Sequence, residues 1–92
     1  MQIRLTPSAT ADLEAIEAYI AEDNPTAAVQ TVLRVLEAIE GLAEFPNVGR
    51  PGRVFGTREL VIGGTPFIAV YRVEANTLWV ARVLHGARRW PE

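Results

Sequence analysis

The sequence predicts an α+β domain of order β-α-α-β-β-β, an antiparallel sheet with an N-terminal helical hairpin packed on one face. Three patterns carry that prediction. Two cap-and-proline pairs, Thr6-Pro7 and Asn24-Pro25, each precede a run of apolar residues at helical spacing. A loop rich in Gly, Pro and Arg, residues 46–53, ends the helical half. Beyond it, Phe67–Val73 and Leu78–Leu84 alternate β-branched and aromatic residues around the four residues Glu74–Thr77, the pattern of a β-hairpin.

Taken in order, Gln2–Leu5 is a short strand. Thr6 offers an N-cap hydroxyl, and Pro7 lacks only a donor that a first helical residue could not use. Ala9, Leu13, Ile16 and Ile20 form the buried stripe of a first helix over residues 7–21, with acids on its other faces. Asn24-Pro25 starts a second helix with the stripe Val29, Val32/Leu33, Leu36 and Ile39/Ala43. It is expected to run to Phe45, with Gly41 marking where it frays and Pro46 stopping it. A strand at Arg58–Ile62, the Gly63-Gly64 turn and the hairpin complete one domain spanning residues 1–92.

Pairing Val73 with Leu78 and counting outward places Phe67, Ala69, Tyr71, Val73, Leu78, Val80, Arg82 and Leu84 on one face of the hairpin. Ile68, Val70, Arg72, Trp79, Ala81, Val83 and His85 fall on the other. Both faces are mostly apolar, whereas a sheet with one wet side alternates apolar and polar. The first face is expected to meet the helices. The second is expected to lie bare until another polypeptide covers it. Arg82 on the helical face needs an acid, and Asp12 on the first helix is the expected partner.

Composition narrows the chemistry. The chain has no Cys and one His, so thiolate catalysis and sulfur-ligated metals are excluded and no metal or cofactor site is expected. Its glycines form no phosphate-binding fingerprint. No charged-then-apolar leader or membrane-length apolar run is present, which predicts a cytoplasmic protein. The formal charge of −2 hides a split. Residues 1–46 hold two arginines against eight acids, a net −6, and residues 47–92 hold seven arginines against three acids, a net +4. The basic end gathers Arg50, Arg53, Arg58, Arg72, His85, Arg88 and Arg89 with Trp79 and Trp90. Arginine among aromatic rings can stack bases and clamp phosphates, and the His85 imidazole is a candidate general base. Arg72 and Trp79 sit as a cross-strand cation–π pair, and Glu59 is expected to pair with its neighbour Arg58.

Read together, ADLEAIEAYIAEDNPTAA, PNVGRPGRVFGTREL and PFIAVYRV…LWVARVLHGARRWP resemble the RelE/ParE superfamily of type II toxin–antitoxin toxins, nearly end to end. The resemblance implies a growth-arresting toxin, an antitoxin partner, a toxin–antitoxin hetero-oligomer, and either DNA gyrase or the ribosome as target. For a ribosome-dependent mRNA endonuclease of the RelE kind, it implies Arg72, His85 and Arg88 as catalytic residues. The RelE-type arginine of the hairpin falls on Ile68, its lysines on Glu59 and Val61, and its terminal tyrosine has no counterpart before Glu92. Tyr71-Arg72-Val73 and Arg82-Val83-Leu84-His85 are similar to the ParE-type ending, although ParE toxins continue further beyond it. The implied mode is therefore gyrase inhibition without catalysis, with Arg58, Arg88, Arg89 and Trp90 toward the target. Ile68, Val70, Trp79 and Val83 are the expected antitoxin surface. A non-toxic protein-binding module, its second sheet face covered by another copy, is the third reading.

Overall fold

Residues 1–91 are described by a computed structural model. The elements are β1 (Gln2–Leu5), α1 (Pro7–Ala21), α2 (Pro25–Gly41), β2 (Arg50–Pro51), β3 (Arg58–Val61), β4 (Phe67–Glu74) and β5 (Thr77–His85). Both helices start as their sequences dictate. Thr6 Oγ1 accepts from the amide of Ala9 at 3.1 Å, and Asn24 Oδ1 from that of Ala27 at 3.0 Å. α2 stops at Gly41 rather than Phe45. Past that glycine the amides of Leu42 and Ala43 turn back to Ile39 and Glu40 in tighter turns, so the chain is already bending before Pro46.

The sheet order is β1-β5-β4-β3-β2, and β1 runs parallel to β5. The sheet is thus mixed, not antiparallel throughout. The helical hairpin carries the chain from β1 back across one face, which leaves the long hairpin β4–β5 to insert beside β1. The remaining pairs are antiparallel.

The register of β4 and β5 holds as expected from Glu74↔Thr77 to Tyr71↔Val80 and then slips by one. Val70 faces Arg82, so Ala81 is the extra residue of a β-bulge. A one-residue slip exchanges faces. Val83 therefore joins the helix-side core with Ala69, Tyr71, Leu78 and Val80, packed on Ala9, Leu13, Val35, Ile39 and Leu42. Leu84 moves to the other side with Ile68 and Val70.

The second face is not bare. Trp90 folds back onto Ile68, Val70 and Leu84, which are each 3 % exposed or less. The tail is held by the Gly86 amide on the carbonyl of Pro66 at 2.8 Å and by Arg53 Nη1 on the carbonyl of Arg88 at 3.2 Å. The expectation that this surface waits for another polypeptide is corrected: the chain's own Trp90 seals its centre.

Tyr71 anchors the loop between helices and sheet. Its hydroxyl donates to the carbonyl of Pro46 at 2.8 Å and accepts from the amide of Gly49 at 2.9 Å. A Cβ at Gly49 would stand 2.6 Å from that hydroxyl, so only glycine lets the loop close over the ring.

Candidate functional site: the basic end of the sheet

Strand alternation decides how the arginines are used. Neighbours on β3 point to opposite faces. Arg58 turns toward the loop before β2, its Nη1 donating to the carbonyls of Gly49 at 2.8 Å and Asn47 at 3.2 Å. Glu59 faces the other way and is 2 % exposed. Its carboxylate accepts from the Arg53 amide at 2.9 Å and from Arg50 Nη2 at 3.2 Å, with Arg53 Nε at 3.6 Å. Arg50 and Arg53, rather than Arg58, are therefore its ion-pair partners. A buried carboxylate needs such donors to offset its lost hydration.

One row crosses the second face: Arg50 beside Glu59, Glu59 beside Val70, Val70 beside Arg82. Arg82 ends the row in the expected pair with Asp12. Its Nε and Nη2 donate to the two Asp12 oxygens at 2.7 and 2.9 Å. Asp12 Oδ2 also accepts the Val83 amide at 2.9 Å, capping the edge of β5 beyond the point where β1 stops. The Arg82 guanidinium lies 5.6 Å from the centre of the Trp90 ring. It thus bridges α1 to the tail.

The residues implied as a RelE-type catalytic set do not converge. Arg72 sits opposite Trp79, six residues along β5 from His85, a separation of about 20 Å at strand rise. Arg72 Nε binds Glu74 Oε1 at 2.9 Å instead of stacking on Trp79. Arg72 and Trp79 line one shallow cleft with Thr6, Glu74 and Ala81. His85 lines another with Tyr19, Thr31, Pro66 and Phe67. Its Nδ1 accepts the Ala87 amide at 3.1 Å, and its ring meets Phe67 edge-on at 6.0 Å between centroids. Arg88 is next to it, its amide on the His85 carbonyl at 2.9 Å. Ile68, at the position of the RelE-type hairpin arginine, is buried beneath the tail.

Of the residues implied for a target, Arg88 and Arg89 are exposed, whereas Arg58 and Trp90 are spent on intramolecular contacts. Of those implied for an antitoxin, Ile68 and Val70 lie beneath the tail and Val83 in the helix-side core, and Trp79 alone is partly exposed. Reading the sequence missed the Glu59 cluster and the fully exposed Phe55. The RPGRVF run, which contains Arg50 and Arg53, was the available signal for both.

A solved chain described as "Chromosomal ParDE TA system from P. aeruginosa" superposes with a TM-score of 0.83 at 31 % identity, over 92 % of this chain and 95 % of that one. The chain belongs to the ParE toxin family of type II toxin–antitoxin systems, parDE, which it matches over residues 3–90. Among its relatives, "Putative toxin Y4kP" of Sinorhizobium fredii is 42 % identical over 99 % of this chain and 94 % of its own length. "Toxin RelE2" of Caulobacter vibrioides is 38 % identical over 95 % of this chain and 97 % of its own.

Proposed function

We propose that this toxin arrests growth by binding DNA gyrase without catalysis, and that an antitoxin encoded beside it holds it inactive. The observation that carries the non-catalytic reading is the separation of Arg72 from His85, with buried Ile68 where a phosphate-stabilising arginine would stand. Charge preorganised at a scissile phosphate accounts for about 10²–10³ in rate per group. A site lacking several such groups would cut poorly. RelE-like mRNA cleavage is the second reading, favoured by the relative named Toxin RelE2 and by the adjacency of His85 and Arg88.

The antitoxin is assigned to the outer apolar side of the helical hairpin, where Tyr19, Val29 and Leu33 are exposed, and to the rim at Trp79. The acidic helices and the basic sheet end would both contribute to salt-dependent association. No helix among the described residues is long and apolar enough to cross a membrane, and a cytoplasmic site of action is part of the same proposal. The test is induction of the toxin alone, followed by parallel readout of plasmid topology and message integrity. Relaxed or broken plasmid with intact messages, reversed by the antitoxin, is expected. Messages cut at codons on unchanged plasmid would overturn the gyrase reading.

A further inference from the structure

Phe55 stands wholly in solvent at the tip of the loop between β2 and β3. A single exposed ring is ordinary on a protein surface, but this one is mounted on an unusually braced turn. The Gly52 amide donates to the carbonyl of Thr57 at 2.8 Å, and the Thr57 amide and hydroxyl return to the carbonyl of Val54 at 3.1 and 2.6 Å. A Cβ on Gly52 would come within 2.1 Å of Thr57 Oγ1, so the pinch requires glycine. Beneath it, buried Glu59 grips the Arg53 amide, and Arg53 ties the loop to the tail through the Arg88 carbonyl. A stiff mount for one exposed aromatic lowers the ordering cost of docking it.

We propose that Phe55 is the docking anchor of the toxin, inserting into an apolar pocket with an acidic rim on the folded target protein. This deepens the gyrase reading and rests on it for the identity of the target. The charge around the ring sets the chemistry of the rim. Arg50 and Arg53 keep about half and a third of their side chains exposed, and Arg53 Nη1 reaches the backbone carbonyl of Arg88 on the tail, where Arg88 and Arg89 are exposed. The excess of arginine over acid in this loop and tail steers acidic surfaces toward the aromatic. A protein pocket fits better than nucleic acid for two reasons. The donor groups of Arg50, Arg53 and Arg58 are committed to Glu59 and to backbone carbonyls rather than held out for phosphates. The aromatic carried by the tail, Trp90, is turned onto Ile68, Val70 and Leu84 rather than held out for stacking.

The test compares Phe55→Ala, Phe55→Leu and Phe55→Tyr toxins, each purified as the antitoxin complex and released. Thermal midpoint, antitoxin binding, growth arrest and inhibition of gyrase holoenzyme supercoiling are measured. Burial of one phenyl group predicts a roughly 10- to 100-fold loss of potency for Phe55→Ala, with Phe55→Leu recovering most of it. Midpoint and antitoxin binding should match the parent. Unchanged potency of Phe55→Ala overturns the anchor, as does a parallel loss of antitoxin binding. Full activity of Phe55→Tyr beside an inactive Phe55→Leu also overturns it and indicates base stacking. Growth arrest that falls with Phe55→Ala while the parent leaves gyrase unaffected overturns the gyrase reading alone. A parent toxin that arrests nothing sinks both.

Discussion

Replacing Asp12 by Ala removes the three hydrogen bonds through which α1 holds β5. Asp12 receives both nitrogens of the Arg82 fork and the Val83 amide, at 2.7, 2.9 and 2.9 Å. The pair is mostly shielded, with side-chain exposures of 14 % for Asp12 and 24 % for Arg82. Breaking a fully buried pair costs about 3–5 kcal/mol, and an orphaned amide costs about 1–3 kcal/mol. Partial access of water to Arg82, and the Trp90 ring that still faces it, discount the sum to about 3 kcal/mol. For a domain of this size that lowers the melting midpoint by about 12–24 °C. Asp12→Asn keeps an acceptor for the Val83 amide and loses the ionic part, so about half the effect is expected. Calorimetry of the two variants, with Arg82→Met and the double mutant closing a cycle, measures the coupling directly. A shift under about 4 °C for Asp12→Ala would refute the reasoning, because it would place the pair at about 1 kcal/mol, the worth of an exposed ion pair.

Trp90→Ala uncovers Ile68, Val70 and Leu84, and urea denaturation should show a loss of about 2 kcal/mol. Trp90→Phe should be neutral or slightly stabilising, because the buried indole Nε1 has no hydrogen-bond partner among the described residues. Glu59→Gln keeps an acceptor for the Arg53 amide but drops the charge opposite two half-exposed arginines; about 1–2 kcal/mol lost in chemical denaturation is expected. His85→Ala should arrest growth as well as the parent does when titrated by inducer, whereas an acid–base role would cost about 10²–10⁴ in activity.

Local rules carried much of the fold. Cap-and-proline pairs fixed both helix starts, and the need of a buried arginine for an acid pointed Arg82 to Asp12, although Arg82 lies on the opposite face from the one expected. Where the prediction departed from the structure, the deciding interactions are long-range. Nothing near Ala81 signals a bulge; the slip follows from how β5 meets α1, with Thr6 Oγ1 donating to the Ala81 carbonyl at 2.8 Å and Asp12 taking the Val83 amide. The single bulge then exchanged Arg82, Val83 and Leu84 between faces. Glu59 was matched with Arg58 because the two are adjacent in sequence, although alternation sends neighbours to opposite sides. The greasy second face was expected to be covered by another polypeptide, and it is covered by the chain itself. That the cover is Trp90, five residues past the end of β5, depends on a tail path that no periodicity encodes.

Purified gyrase tests the account most directly. The toxin, released from its antitoxin, is added to the holoenzyme with ATP and relaxed plasmid. Supercoiling should fall with toxin concentration, return when antitoxin is added, and respond equally to parent and His85→Ala toxin. Undiminished supercoiling at saturating toxin, together with cleavage of message on programmed ribosomes, would contradict it.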